Sequence, residues 1–438
     1  VGLRASVGSL LAASWRGDLR YLLGGRALRS LSQGYLGIIV PLFLVRAGYG
    51  TVRIGVLLTV AAAGGAVLTA LVGFAADRWG RKPLLITLGL TTAAGGTVFA
   101  LTTAYVPLLV AAALGTIGGG GAAGSGGGFG PYYPAEQALL AEHAGDADRT
   151  TVFAGLSLVG VLAASVGAAL AGLPRLVAAT GLTSRIDGYH LLFALTAVVG
   201  LAMAVIILPV AEIAPSRAQA APAAPAPLSR QTRGLLARFA VTNAINGLAI
   251  GFLGPILALW FHLRYGVDSA SIGALYFAIN IAAVVPYLGV PWVTRRLGGA
   301  VRTVVAVRLA SSGLLAVIPL MPSFALAGAC YLVRMLANAV SVPVRQSYVM
   351  GIVAPTERSR MAALSNLPAR IFALAGPTVA GIVLQVWWIG VPLELAAGLQ
   401  LVYAGLYWRF FRGVRPPEEV EPVPLFTEED EAGAQSRG

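Results

Sequence analysis

Charge is what this sequence has least of. Only 11% of its 438 residues are charged, under half of the roughly 25% usual in soluble domains. A chain this poor in charge and 57% hydrophobic has too little polar surface to fold in water, so a polytopic membrane protein is implied. The single cysteine, Cys330, lies in an apolar run and reads as a small buried apolar residue. It excludes a disulfide framework and a cysteine-based zinc site. Lysine is represented only by Lys82, the other basic residues being Arg, and together with abundant Ala and Gly this points to a GC-rich bacterial genome. Carboxylates are nearly absent from the apolar runs: Glu136 falls at one end of a run, Glu394 near the end of another, and seven of the 18 acids crowd into the tail. No nucleophile–base pair or metal cluster is present, and the Gly118–Gly130 tract lacks the Lys-Ser/Thr that cradles phosphate, so neither an enzyme nor direct ATP drive is expected. The net charge of +13 does not indicate nucleic acid, because the arginines are scattered singly rather than gathered in a stripe.

What is present is a series of apolar runs. A membrane-crossing helix needs about 20 predominantly apolar residues. That rule gives twelve spans, at about 28–47, 53–75, 83–104, 107–127, 150–172, 189–209, 238–262, 270–293, 302–320, 323–345, 361–384 and 389–409. The fold class is therefore all-α. Residues 1–27 read as an interfacial amphipathic lead without a signal-peptide cleavage pattern, 28–209 as an amino-terminal six-helix bundle and 210–237 as a linker rich in Ala and Pro. Residues 238–410 read as a second six-helix bundle, and 411–438 as a disordered acidic tail. Twenty-four of the 31 basic residues fall on the side that carries the termini. The positive-inside rule then makes both termini cytoplasmic, in a multi-pass protein of the bacterial inner membrane.

The halves repeat. Pro134 to Leu173 lays over Pro343 to Ile382 without a gap, at an offset of 209 residues, matching Gln137 with Gln346, Arg149 with Arg358 and Gly167 with Gly376. Earlier the offset is 218: Ile54-Gly55 lies over Ile272-Gly273, and Arg78-Trp79-Gly80 over Arg296-Leu297-Gly298. The extra residues of the first half are placed in the tract from Gly118 to Gly130. Glycine costs about 1 kcal/mol per residue in a helix relative to Ala, so the fourth span is expected to end early there. The tract reads either as a hinge or as a tolerated insertion.

Between spans two and three stands Gly73-Phe74-Ala75-Ala76-Asp77-Arg78-Trp79-Gly80-Arg81-Lys82. Its pattern, Gly-x-x-x-Asp-Arg-x-Gly-Arg-Lys, closely resembles the signature of the major facilitator superfamily, and a weaker copy follows at Thr294 to Gly298. The resemblance covers all twelve spans, with parallel repeats related by an axis along the membrane normal. It implies a secondary active transporter that moves a small organic solute by alternating access, as a proton-coupled exporter. The alternatives are an uptake permease for a sugar, organic acid or other metabolite, and a transport-dead sensor or scaffold. The family's drug-antiporter signature is only partly matched: span five has Gly160, Gly167 and Gly172 without its proline, whereas span eleven reads Ala375-Gly376-Pro377. The implied partners are a small-molecule solute and the bilayer, with no nucleic acid; a monomer and no cofactor beyond a coupling proton are expected.

Within the signature, Gly73 suits close helix approach and Gly80 a tight reversal. Asp77 suits the amino terminus of a neighbouring helix, and the resemblance implies a latch from it to the backbone near Ser359 to Met361. Arg78 and Arg81 read as latch partners or topology signals, Lys82 chiefly as topology. Glu136 and Arg345 are repeat equivalents of opposite charge, with Arg81 and Glu357 as expected gate partners. Arg334, in the middle of span ten, could answer an anionic solute, a coupling acid or a backbone carbonyl. Arg308 is expected to snorkel. Gln33, Tyr35, Asn243, Asn246, Tyr276, Asn280, Arg334 and Asn338 form the expected substrate cavity, each residue alone being as well explained by an interhelical hydrogen bond.

Overall fold

The structure is a computed structural model. It describes residues 17–117, 130–143, 149–181, 185–211, 229–254, 256–353 and 357–414. The lead up to residue 16, the glycine tract from 118 to 129, the linker from 212 to 228 and the tail beyond 414 lie outside the described residues, as do the side chains of Asp77, Arg78 and Ser359.

In hydrocarbon every backbone N–H and C=O must be satisfied within its own segment, and runs of Leu, Ala and Val do this as helices. The described residues form helices and connecting turns, with no strand among them. The first half holds α1 (Leu19–Arg46), α2 (Thr51–Trp79), α3 (Arg81–Leu101), α4 (Tyr105–Ala113), α5 (Tyr132–His143), α6 (Arg149–Leu170), α7 (Leu173–Ala179) and α8 (Arg185–Ile206). The second holds α9 (Arg230–Leu253), α10 (Ile256–Tyr265), α11 (Ser269–Ala282), α12 (Val284–Arg296), α13 (Ala300–Val317), α14 (Phe324–Gly351), α15 (Arg358–Val386) and α16 (Val391–Phe411). Side-chain caps start several of them: Ser229, Asp268 and Ser323 each accept from the N–H three residues on. Among the described residues nine helices are long and apolar enough to cross a membrane. The fourth, eighth and twelfth expected spans are not among these nine; α4, α11 with α12, and α16 lie at their positions.

Two boundaries differ from the sequence reading. Helix α1 begins at Leu19, nine residues before the expected span, because Arg26 and Arg29 are neutralised inside the bundle and do not exclude the helix from it. The first part of span four ends at Ala113, ahead of the glycine tract. The chain turns there through Gly115, at φ +72°, where an added Cβ would meet the backbone of Gly64 and Gly65.

The buried apolar side chains fall into three clusters, and their distribution gives the state of the molecule. One cluster, with Phe43, Leu57, Phe193, Trp260, Ile272 and Ala380, draws on both halves at the end away from the termini. Toward the termini the core divides, one cluster lying within the first bundle and another within the second. At the shared end the bundles meet backbone to backbone. A Cβ on Gly55 of α2 would strike the Pro377 carbonyl of α15, and one on Gly273 of α11 would strike the Ala168 carbonyl of α6. These contacts are repeat equivalents, offset by 218 and 209 residues. The first is pinned by Thr378, whose hydroxyl bonds that of Thr59 at 2.7 Å, and by Thr51, which donates to the Gly381 carbonyl at 2.8 Å. Near the termini, Phe74 and Trp79 of α2 are 82% and 73% exposed. In the described residues the structure is closed at one end and divided at the other.

Cysteines placed at Thr59 and Thr378, in a Cys330→Ala background, should therefore cross-link on oxidation. Adding Gly55→Val should cut the disulfide yield several-fold on a gel-shift assay, by forcing the seam apart. An unchanged yield would mean that the seam tolerates a side chain.

Candidate functional site

Each bundle buries a polar cluster in its terminal half. In the first, Glu136 of α5 lies between two arginines of α1, with Arg29 Nη2 at 2.8 Å and Arg26 Nη1 at 3.4 Å from its Oε2. All three side chains are buried, and Glu136 Oε1 accepts no hydrogen bond from the described residues. The Arg29 guanidinium also lies over the Tyr132 ring, 5.4 Å from its centre, while the Tyr132 hydroxyl bonds Thr92 at 2.7 Å. A recess of about 320 Å³, counting its open mouth, is lined by these residues with Leu22, Leu85, Met203 and Ile207. Two cations three residues apart on one helix face are tolerated there because a carboxylate stands opposite both.

The second bundle carries the counterpart with its charges rearranged. Gly34 meets Ala164 and Gly167 as Gly251 meets Ala373 and Gly376, so span one maps onto span seven at an offset of 217 residues. That offset carries Arg26 to Asn243 and Arg29 to Asn246, and Glu136 already maps to Arg345. Arg345 Nη1 donates to Asn243 Oδ1 at 2.8 Å, and Asn243 Nδ2 donates to the Ser365 carbonyl of α15 at 2.6 Å. An ion pair in one half thus answers to a hydrogen bond in the other, at equivalent positions.

Both expected gate contacts are therefore corrected. Glu136 takes Arg26 and Arg29 instead of Arg81, and Arg345 takes Asn243 instead of Glu357. Glu357, just before α15, accepts from the Ser229 N–H at 2.7 Å and from the Ser229 and Thr232 hydroxyls. The Thr232 hydroxyl, and next the Ser229 N–H, hold its carboxyl below the usual carboxylate range. Arg308 does not snorkel: it is 6% exposed, with its guanidinium over the Tyr403 ring at 5.4 Å. Its position, eight residues into α13 on the face toward α14 and α16, turns it inward.

In the signature turn, Gly80 takes φ +85°, a value that favours glycine. Gly298, its repeat equivalent, takes +74°. Lys82 Nζ donates to the Leu208 carbonyl at 2.6 Å, beyond the end of α8, where a cation also suits the helix dipole. Gly73 is helical, and an added Cβ there would meet nothing within 4 Å. The side chains of the expected latch, Asp77 and Arg78 with Ser359, lie outside the described residues; Met361 is fully buried.

None of the eight expected cavity residues lines the recess beside Glu136. The Tyr35 hydroxyl bonds that of Thr196 of α8 at 2.8 Å within the first bundle. Gln33 donates to the Thr116 carbonyl at 3.3 Å. Asn246 and Asn338 each keep a buried carbonyl oxygen without a partner. Tyr276 and Asn280 are both 4% exposed on α11. Arg334 is 4% exposed and lies over the Tyr331 ring at 5.7 Å. Arg26, Arg29 and Arg308 were missed as site residues. The signal available was the i, i+3 spacing of the first two, read together with the offset between spans one and seven.

Two six-span bundles that share one closed end and bury charge in their divided halves define a membrane transporter rather than an enzyme. The chain belongs to the Major Facilitator Superfamily, whose family model matches residues 22–340. An uncharacterized membrane protein of Saccharomyces cerevisiae is 24% identical over 400 residues, covering 83% of this chain and 87% of that protein. Among solved structures, a bacterial homolog of the human lysosomal transporter Spinster, in an inward-facing and occupied conformation, matches with TM-score 0.67 and 16% identity over 90% of this chain and 96% of its own. The nucleoside transporter NupG matches with TM-score 0.66 and 14% identity over 90% and 99%. A D-xylose-proton symporter matches with TM-score 0.63 and 14% identity over 90% and 98%.

Two outcomes follow from this geometry. Glu136→Gln leaves two buried cations without their carboxylate and should cost about 3–5 kcal/mol, against about 1–3 kcal/mol for Asn243→Ala, which breaks a neutral acceptor's bond to a cation. Denaturation midpoints of the purified variants should rank in that order, and an equal or reversed ranking would contradict the assignment of charge. Thr232→Val should bring Glu357 back toward the ordinary carboxylate range. Stability drawn from a lowered carboxyl pKa is present at neutral pH and lost as pH falls through that lowered value, so the variant should be less stable than the parent at neutral pH, and the gap between the two should close on an acid titration.

Proposed function

We propose that this chain is a secondary transporter of the bacterial inner membrane that exports a small organic solute by alternating access, driven by protons, with both termini in the cytoplasm. The observation that carries the reading is the seam at Gly55–Pro377 and Gly273–Ala168. It closes one end of the molecule through backbone contacts in pseudo-equivalent pairs, while the apolar core beyond it is divided between the bundles. The excess of basic residues on the divided side makes that side cytoplasmic, and the state described is then inward-facing. One chain holds both halves of the pathway, so a monomer suffices.

Glu136 is the coupling group in this reading. A proton added at its unpartnered Oε1 removes the charge that holds Arg26 and Arg29 and frees α1 to move relative to α5. The latch from Asp77 to the start of α15 would form when the divided side closes, at the expense of the seam. Uptake is the same cycle run in the other direction, since one fold hosts both.

Proteoliposome flux of labelled solutes, with and without an imposed pH gradient, tests the whole. An opposing proton gradient should drive net export, and Glu136→Gln should abolish that dependence while sparing solute–solute exchange. Asp77→Asn should slow net flux about tenfold, the effect of about 1.4 kcal/mol on the closing step. Accumulation along the proton gradient would assign uptake instead. Flux indifferent to the gradient would end the coupling role of Glu136, and a folded protein that exchanges no solute would be a sensor or scaffold.

A further inference from the structure

Cation and anion are out of balance in the second bundle. Between Arg238 and Arg409 the only acids are Asp268, Glu357 and Glu394. Asp268 caps α11, Glu357 is engaged by Ser229 and Thr232, and Glu394 is exposed in the first turn of α16. None meets the buried arginines. Arg308 and Arg334 rest instead on the faces of Tyr403 and Tyr331, and Arg308 lies within electrostatic reach of both Arg334 and Arg345. The first bundle shows what a compensated arginine pair looks like, with Glu136 between Arg26 and Arg29. Like charges brought together in a low-dielectric interior repel strongly, and the penalty is borne only where an anion offsets it.

The hydrogen-bonding groups beside these arginines are also unsatisfied, and most of them donate. Arg308 Nε, Arg334 Nε, the Gln400 amide and the hydroxyls of Tyr403 and Tyr407 are buried without a partner among the described residues. Gln400, Tyr403 and Tyr407 follow one face of α16, and all three are at most 1% exposed. The strongest bond of Arg334 is a long one of 3.8 Å to the Met335 sulfur, which uses little of a guanidinium's capacity. A set of buried donors around two or three cations is complementary to a group that is negatively charged and accepts through several oxygens.

We propose that the second bundle holds an anion site, where Arg308 and Arg334 receive the carboxylate or phosphate group of the transported solute, which is therefore a small organic anion. This rests on the transport reading and narrows it to a substrate class. Arg345, held by Asn243 nearer the divided end, lies on the route by which such an anion reaches the pair. The rings of Tyr403 and Tyr331 occupy the guanidinium faces and leave their edges, where the N–H groups point, for the ligand.

The test uses the purified full-length protein with four probes: succinate and glycerol 3-phosphate, and their uncharged counterparts succinamide and glycerol. Both anions should raise the thermal midpoint by several degrees and bind in calorimetry, and the neutral probes should do neither. Arg308→Gln and Arg334→Gln should each weaken anion binding about tenfold or more. Arg308→Lys and Arg334→Lys keep the charge, should retain more of the binding, and serve if the glutamine variants do not fold. Stabilisation by neither anion, equal stabilisation by the neutral probes, or unaltered affinity in the lysine and glutamine variants overturns the proposal. So does equal binding of inorganic sulfate, which would mark a resident counter-ion. Flux separates this inference from the one it rests on. Anion binding without anion flux sinks transport and leaves the site, whereas flux of a neutral solute with no anion binding sinks the site and leaves transport.

Discussion

Glycine against carbonyl is the contact on which this fold depends. Lipid tails are as apolar as leucine, so helices in a bilayer gain little by hiding apolar side chains from it and associate through close backbone packing. Here that packing recurs at Gly34 on Ala164, Gly247 on Ala369, Gly251 on Ala373, Gly55 on Pro377 and Gly273 on Ala168. The first three hold each bundle together and the last two join the bundles. Because the same kind of contact does both, the seam between the bundles is built like the bundles' own interior, yet it is confined to one end. A molecule assembled this way has rigid halves and a weak line between them.

Once the bundles are fixed, the interior charges decide how the two halves differ. Equivalent positions carry Arg26 and Glu136 in one half and Asn243 and Arg345 in the other, the first an ion pair, the second a charged group on a neutral acceptor. The backbone symmetry survives while the electrostatics diverge. The first half is balanced at its core to within one charge. The second is not, and its surplus sits on tyrosine faces and beside unfilled hydrogen-bonding groups. On the readings proposed above, the repeat separates two tasks, one half exchanging a proton and the other meeting a negative group.

Much of this was legible in the residues. The placement of the nine membrane-length helices followed from apolar runs, since the bilayer sets a length that composition must match, and the tight turn at Gly80 followed from its neighbours in the signature. The repeat anticipated that Gly55 and Gly273 would play the same part. What the chain did not disclose was pairing. Arg26 looked like part of a lead because no uncharged apolar run long enough to span includes it; its partner stands 110 residues away, and only packing brings them together. Arg308 looked like a helix-end residue because snorkelling depends on which face of the helix it occupies, and that is set by α14 and α16. Tyr35 was open to the cavity or to an interhelical hydrogen bond, and its partner Thr196, 161 residues away, could not be read from the chain.

The placement of the seam makes α2 a lever. The helix runs for 29 residues from Thr51 to Trp79, about 43 Å at 1.5 Å per residue. Gly55 lies only about 6 Å from its near end and about 36 Å from Trp79 by the same measure. With the fulcrum there, a tilt that shifts the short arm by one ångström carries the long arm through about six. A tilt too small to disturb the packing at Gly55 and Pro377 would by that ratio be felt about sixfold at the far mouth. The charged turn from Gly73 to Lys82 stands where that travel is greatest.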